Sequence, residues 1–296
     1  MNYRHHYHAG NFADVVKHIL LLGLLDSLGR KTSPYCYIDT HAGCGLYDLG
    51  ASAPQKTLEF KSGLSRVKEA DKTKAPAWIT AYLEAVAALG KERDGFWYPG
   101  SPWLALNAMR ESDRAILMEL HPEDAGKLKQ HLSRYPNISI HMRNAYEGLT
   151  ALIPPQEKRG LVLIDPPYEE ERDDYAPVVE LLAKAHAKWP TGTYAVWFPI
   201  KDHYAITRFY RRLRNTYIPK ILTTELCVMP PDNQLSLNGT GMILVNPPWQ
   251  FDIKARALLS WLTPVLSDHK QASFKVEWLN GENVSAPVKK GDDDED

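Results

Sequence analysis

Apolar residues along this chain fall in short unbroken runs set off by glycine, proline and charge. Leu161-Val162-Leu163-Ile164, bounded by Gly160 and a proline pair, reads as a buried strand of a parallel sheet. Tyr35-Cys36-Tyr37-Ile38 reads as a second buried strand, and Arg114-Ala115-Ile116-Leu117-Met118-Glu119-Leu120 as a third. Ile138-Ser139-Ile140-His141-Met142 alternates apolar and polar positions, as a strand does. Runs at 193–198 and 241–245 add later strands. Helical spacing appears in two places. Ile19-Leu20-Leu21-Leu22-Gly23-Leu24-Leu25 is too short to span a membrane and reads as the centre of a core helix running from about Asp14 to Leu28. Trp78, Tyr82, Val86 and Leu89 recur at helical spacing inside a Lys/Glu-rich stretch. Strands and helices so arranged predict an α/β protein, whose ligands gather at the C-terminal ends of the strands.

The residues at those ends carry the chemistry. After Ile164 come Asp165-Pro166-Pro167-Tyr168. Two prolines remove two backbone N–H donors, so the carbonyls around Pro166 stay free to accept, and Asp165 is a second acceptor. Two nearby acceptors suit the two hydrogens of an exocyclic amine on adenine or cytosine. Tyr168 can stack on the base, a contact worth roughly 1–3 kcal/mol. The bland alternative is a strand, a Pro-rich turn and a helix cap. After Ile38 come Asp39-Thr40-His41-Ala42-Gly43-Cys44-Gly45, an acid leading a glycine turn. No third glycine follows at dinucleotide spacing and no Gly-Lys-Ser/Thr ends a phosphate loop. The ligand implied is a nucleoside without a pyrophosphate, such as S-adenosylmethionine. Glu119 ends the third strand, where an acid accepts from ribose hydroxyls. The gap from the glycine turn to Glu119 is far longer than the usual ~20 residues, so a segment is inserted between them. Asn144 follows the alternating strand and suits the adenine edge of the cofactor. Each feature alone fits an ordinary α/β turn; four in this order do not.

With these residues in place, the chain resembles the bacterial large-subunit (23S) ribosomal RNA adenine N6-methyltransferases of the RlmJ type, from residue 3 to about 279. The run Tyr3-Arg4-His5-His6-Tyr7-His8-Ala9-Gly10-Asn11-Phe12-Ala13-Asp14-Val15-Val16-Lys17-His18 carries the resemblance. So do Asp39-Thr40-His41-Ala42-Gly43, Tyr98-Pro99-Gly100-Ser101-Pro102, Glu119-Leu120-His121-Pro122 and Asp165-Pro166-Pro167-Tyr168. The resemblance implies a Rossmann-like class I S-adenosylmethionine-dependent methyltransferase fold. It implies cofactor contacts from His18, His41, Ser101, Glu119, Asn144 and Asp165, with Gly43 and Ala145 beside them. It implies Asp165 as the catalytic carboxylate and Tyr3 as a residue touching RNA, with Arg4, Pro166 and Tyr168 completing the substrate side. The family often has an acid and a glycine where this chain has Asn144-Ala145.

These anchors divide the chain into a catalytic domain over 1–50 and 97–280, an inserted helical subdomain over 51–96 that could help grip structured RNA, and an acidic, disordered tail over 281–296. The expected reaction is direct in-line displacement by adenine N6, with Asp165 accepting the proton, on a base flipped out of its stack.

Charge and composition refine the picture. The formal net charge is −1, and the five acids at 292–296 account for it; without them the chain stands at +4. Arg208-Phe209-Tyr210-Arg211-Arg212-Leu213-Arg214 sets cations and aromatics on one helix, suited either to RNA or to a solvated face. Cys36, Cys44 and Cys227 lack metal or redox spacing, and no signal peptide or membrane span is read, so a cytoplasmic protein is expected; with no dimerisation segment visible, the default expectation is a monomer. His5, His6 and His8 lie close together, but nothing completes a metal site and methyl transfer needs none.

Asn246-Pro247-Pro248-Trp249 imitates the active-site motif. It comes too late in the chain order, and reads as a structural turn or at most a pocket wall. Other classes stay open on the residues alone: a DNA adenine or cytosine methyltransferase, a protein glutamine methyltransferase that would favour Asn246, and a noncatalytic RNA-binding module. The N-terminal resemblance favours ribosomal RNA.

Overall fold

The computed structural model describes residues 7–168, 175–230 and 237–284. The first helix, α1 (Phe12–Gly29), starts where Asn11 Oδ1 accepts from the Asp14 N–H at 2.9 Å, a side-chain N-cap. Its residues from Phe12 to Leu25 are all buried, so it runs through the interior rather than over it. Next come β1 (Cys36–Asp39) and β2 (Leu46–Asp48), then the short helices α2 (Ser52–Thr57) and α3 (Leu64–Glu69), then α4 (Ala77–Glu92) and β3 (Trp97–Pro99). The chain continues with α5 (Ser101–Ala108), β4 (Arg114–Met118), α6 (Pro122–Leu132), β5 (Ile138–His141), α7 (Ala145–Leu152) and β6 (Gly160–Ile164). It ends with α8 (Tyr175–Lys188), β7 (Thr193–Ile200), α9 (His203–Arg214), β8 (Ile221–Cys227), β9 (Gly239–Val245), α10 (Phe251–Leu266) and β10 (Ser273–Asn280).

Among the described residues one sheet has the order β10-β8-β9-β7-β6-β1-β4-β5. The pairs β1/β4, β4/β5, β1/β6 and β6/β7 are parallel. β9 runs antiparallel to both β7 and β8, and β10 antiparallel to β8. From β1 the chain crosses first to β4 and β5 on one side, then returns to β6 and β7 on the other. The switch point therefore lies between the C-terminal ends of β1 and β6, where doubly wound sheets place their ligands. Asp39 and Asp165 sit at those two ends.

Residues between β2 and β3 form the helices α2 to α4, and β2 pairs antiparallel with β3 through Tyr47 and Tyr98. Their buried side chains, including Phe60, Leu64, Trp78, Ile79, Tyr82 and Leu89, share one core with α1 and α10. Gly23 of α1 makes room for α4: a Cβ there would stand 2.6 Å from the Trp78 ring.

The chain-order argument against Asn246 acquires a physical reason. β9 is antiparallel to β7, so its C-terminal end lies beside Tyr194, at the start of β7. Asn246 is thus at the opposite edge of the sheet from Asp165 and does not line the cavity over the switch point, which corrects the pocket-wall expectation and leaves the structural turn. It holds a left-handed turn (φ 52°) by donating from Nδ2 to the carbonyls of Pro190 and Gly192 at 2.8 and 2.9 Å.

Candidate active site

A cavity of about 1230 Å³ opens over the switch point. His18, His41, Gly43, Ser101, Glu119, Asn144, Ala145, Asp165, Pro166 and Tyr168 all line it, although they come from six separate stretches of chain. Tyr3 and Arg4, with His5 and His6, lie outside the described residues. His8 lines the mouth, and its Nδ1 meets Glu59 Oε1 at 2.9 Å; this ties the segment before α1 to the inserted helices.

The glycine turn is built on backbone. Gly43 and Gly45 have φ of 58° and 77°, a left-handed region that favours glycine. A Cβ on Gly43 would stand 2.4 Å from the Tyr47 hydroxyl. The Gly43 N–H donates to Glu119 Oε2 at 2.8 Å, and the His121 N–H donates to Oε1 at the same distance. Glu119 is thereby fixed while keeping acceptor capacity on both oxygens. Burial pushes its pKa up, opposed by those two N–H groups.

Asp39 supports the site from beneath. It is fully buried and does not face the cavity. Its Oδ2 accepts from the Tyr37 hydroxyl at 2.6 Å and the Ser101 hydroxyl at 2.7 Å, and Oδ1 accepts from the His41 N–H at 3.3 Å. Burial raises its pKa to about 6, against the pull of these donors.

The neighbouring histidine has a defined tautomer. The Thr40 hydroxyl donates to the Leu163 carbonyl at 3.0 Å, so its oxygen must accept from His41 Nδ1, 2.8 Å away. His41 Nε2 then carries a lone pair. Burial lowers the pKa of His41 to about 4, so the ring is neutral at physiological pH and offers an acceptor. His18 Nδ1 lies 2.8 Å from the Tyr98 hydroxyl, which accepts from the Tyr82 hydroxyl at 3.1 Å, so His18 is held through a buried pair of phenols.

Asp165 has a partner that the sequence analysis did not assign. Lys17, only 4% exposed, donates from Nζ to Asp165 Oδ2 at 2.5 Å and lies 2.9 Å from Asp14 Oδ1. Burial alone would lower its pKa, but Asp14 and Asp165 outweigh burial and raise it, so Lys17 stays charged. Its ammonium also lies 5.6 Å from the centroid of the Trp197 ring, within cation–π range. Tyr168 donates from its hydroxyl to the Trp197 carbonyl at 2.6 Å, and its ring sits between Tyr175 and Trp197 at 5.2 and 5.7 Å. Tyr168 is therefore held by its phenol end, with the ring forming part of the wall. Asn144 caps α7, its Oδ1 accepting from the Tyr146 N–H at 2.8 Å, and buried Ala145 follows it.

Sheet order, switch point and the acid–Pro–Pro–Tyr cradle together define the class I S-adenosylmethionine-dependent methyltransferase fold. Residues 32–280 match the family model described as ribosomal RNA large subunit methyltransferase D, RlmJ, and the chain belongs to that family. It is 39% identical to the ribosomal RNA large subunit methyltransferase J of Haemophilus influenzae, over 95% of this chain and 100% of that one. The Escherichia coli protein of the same name is 37% identical over 94% and 99%. The crystal structure of a Legionella pneumophila protein is similar at a TM-score of 0.82 and 33% identity, covering 92% of this chain and 98% of the other.

Proposed function

We propose that this protein transfers the methyl group of S-adenosylmethionine to N6 of an adenine in large-subunit (23S) ribosomal RNA. The observation that carries the reading is Asp165-Pro166-Pro167-Tyr168 at the switch-point end of β6, inside the cavity and tied to Lys17. The names of the relatives support ribosomal RNA as the substrate.

The donor set fits the cofactor. Glu119 retains acceptors for a ribose diol, and the neutral His41 can accept without repelling a cation. Asn144 and Ala145 stand at the start of α7 and line the cavity, where they would meet the adenine edge. His18 and Ser101 line the same space. When bound, S-adenosylmethionine supplies a methyl group made electrophilic by its sulfonium.

The chain's own residues do the rest. Asp165 Oδ and a carbonyl near Pro166 accept the two N6 hydrogens. This draws the nitrogen towards a pyramidal form with an available lone pair. As positive charge develops on N6, Asp165 takes a proton directly or through water. Lys17 fixes the orientation of Asp165 through a short buried contact, so alignment is set before the base arrives. Tyr168, anchored to Trp197, presents its ring to the base.

RNA and DNA of the same sequence around the target separate this reading from a DNA adenine methyltransferase. Methylation of the RNA with little on the DNA is expected; the reverse preference would reject the RNA assignment while leaving the cofactor and the chemistry intact.

A further inference from the structure

The exposed face of α9 is cationic and starts beside the rim of the cavity. β7 ends at Ile200, two residues beyond Phe198; Trp197, Pro199 and the exposed Lys201 all line the cavity. Asp202 then caps α9 by accepting from the Tyr204 and Ala205 N–H groups at 2.9 and 3.3 Å, which fixes the helix where the wall ends.

With 3.6 residues per turn, Tyr204, Arg208 and Arg211 fall within a sector of about 60°. The opposite face, Ile206, Phe209, Tyr210 and Leu213, is buried. Tyr204 is 79% exposed, three residues beyond Lys201 at the cavity rim, with His203 edge-on to its ring. α9 contains no acidic residue. Among the described residues no carboxylate lies within ion-pair distance of Arg208 or Arg211, whereas Glu180 on the adjacent α8 is already taken by Lys184. A solvated surface helix normally mixes both signs of charge; this one does not.

We propose that Lys201, Tyr204, Arg208 and Arg211 form the docking track for the RNA strand that flanks the target adenosine. The inference rests on the reading of the substrate as RNA and names the surface that holds it. Rise along the helix sets Arg208 about 6 Å beyond Tyr204 and Arg211 about 4.5 Å further. Flexible arginine side chains on that spacing reach successive phosphates, and Tyr204 stacks on an unpaired base next to the target. The track begins at the cavity rim, so a strand lying on it delivers its next nucleotide to Asp165.

The test is a double variant, Arg208→Gln with Arg211→Gln, assayed on a transcript of the large-subunit RNA across a series of salt concentrations. The control, Lys184→Gln with Lys188→Gln on α8, removes equal charge elsewhere. Loss of two phosphate contacts to a flexible strand lowers the slope of log affinity against log salt by about 1.4. The α9 variant should raise KM for RNA roughly tenfold at moderate salt, and the α8 control should match the parent. Tyr204→Ala should raise KM without changing the salt slope, since it removes stacking and no charge. An α9 variant with the parent's KM and salt slope would overturn the track. A parent protein that methylates no RNA would instead overturn the substrate reading beneath it.

Discussion

Lys17 is buried against the floor of the cavity, and both carboxylates that meet it line that cavity too. Removing one member of a buried ion pair typically costs 3–5 kcal/mol, because the partner charge is stranded. Lys17→Met should therefore lower the urea midpoint clearly, and methyl transfer should fall further than folding accounts for, since Asp165 loses its orienting contact. A variant as stable and active as the parent would remove Lys17 from the account. The sequence offered one clue, Asp14 and Lys17 three apart on a buried helix face; the contact with Asp165, 148 residues away, carried no local signal. His41 and Asp39 respond to pH in opposite senses. Folded His41 resists a proton until about 4, while an unfolded His takes one near 6.5, so its contribution to stability is lost as pH falls through that window. Folded Asp39 takes a proton near 6, before the unfolded carboxyl does at 3.8, so its contribution grows as pH falls. Melting temperatures from pH 6.5 to 4.5 should thus fall less steeply for His41→Asn than for the parent, and more steeply for Asp39→Asn. Parallel curves for all three would contradict both assignments.

At the scale of elements, the parallel strands were legible because each is an apolar run ending in chemistry. Tyr35–Ile38 and Leu161–Ile164 matched β1 and β6 to within a residue. The insertion was legible from the long gap before Glu119, and Trp78, Tyr82, Val86 and Leu89 do form one buried face of α4. Its packing was not legible: the Gly23–Trp78 contact joins α4 to α1 through residues whose own neighbours say nothing of each other. β8 and β10 also escaped the sequence reading. β10 follows an edge pattern, with Val276 the first buried position after three more exposed ones, and only its pairing with β8 defines it. Asn246 shows how chain order and structure divide the work. Residue types made it a rival to Asp165, and the antiparallel direction of β9 puts it at the far edge. Asn246→Ala should cost about 1–3 kcal/mol for two lost hydrogen bonds and a left-handed backbone, yet leave kcat unchanged. A selective loss of kcat without destabilisation would mean that the far edge takes part in the reaction.

At the scale of the whole molecule, the sheet brings together groups that the sequence could only name one at a time. Reversal of the chain's crossing direction at β1 and β6 puts the glycine turn, Glu119, Asn144 and Asp165 around one cavity, and α1 passes beneath it carrying Lys17 and His18. The arrangement divides the labour. Backbone N–H groups fix Glu119, a buried carboxylate fixes Ser101 and His41, and a buried lysine fixes Asp165. The central claim is that Asp165 is the carboxylate that accepts from the adenine amine. The most direct test is transfer of labelled methyl from S-adenosylmethionine to deproteinised large-subunit ribosomal RNA lacking the modification, with nucleoside analysis of the product, run beside Asp165→Ala. The account predicts N6-methyladenosine with the parent and none with the variant, while the variant still binds the cofactor. N6-methyladenosine formed equally by Asp165→Ala, or a methylated product other than N6-methyladenosine, would contradict it.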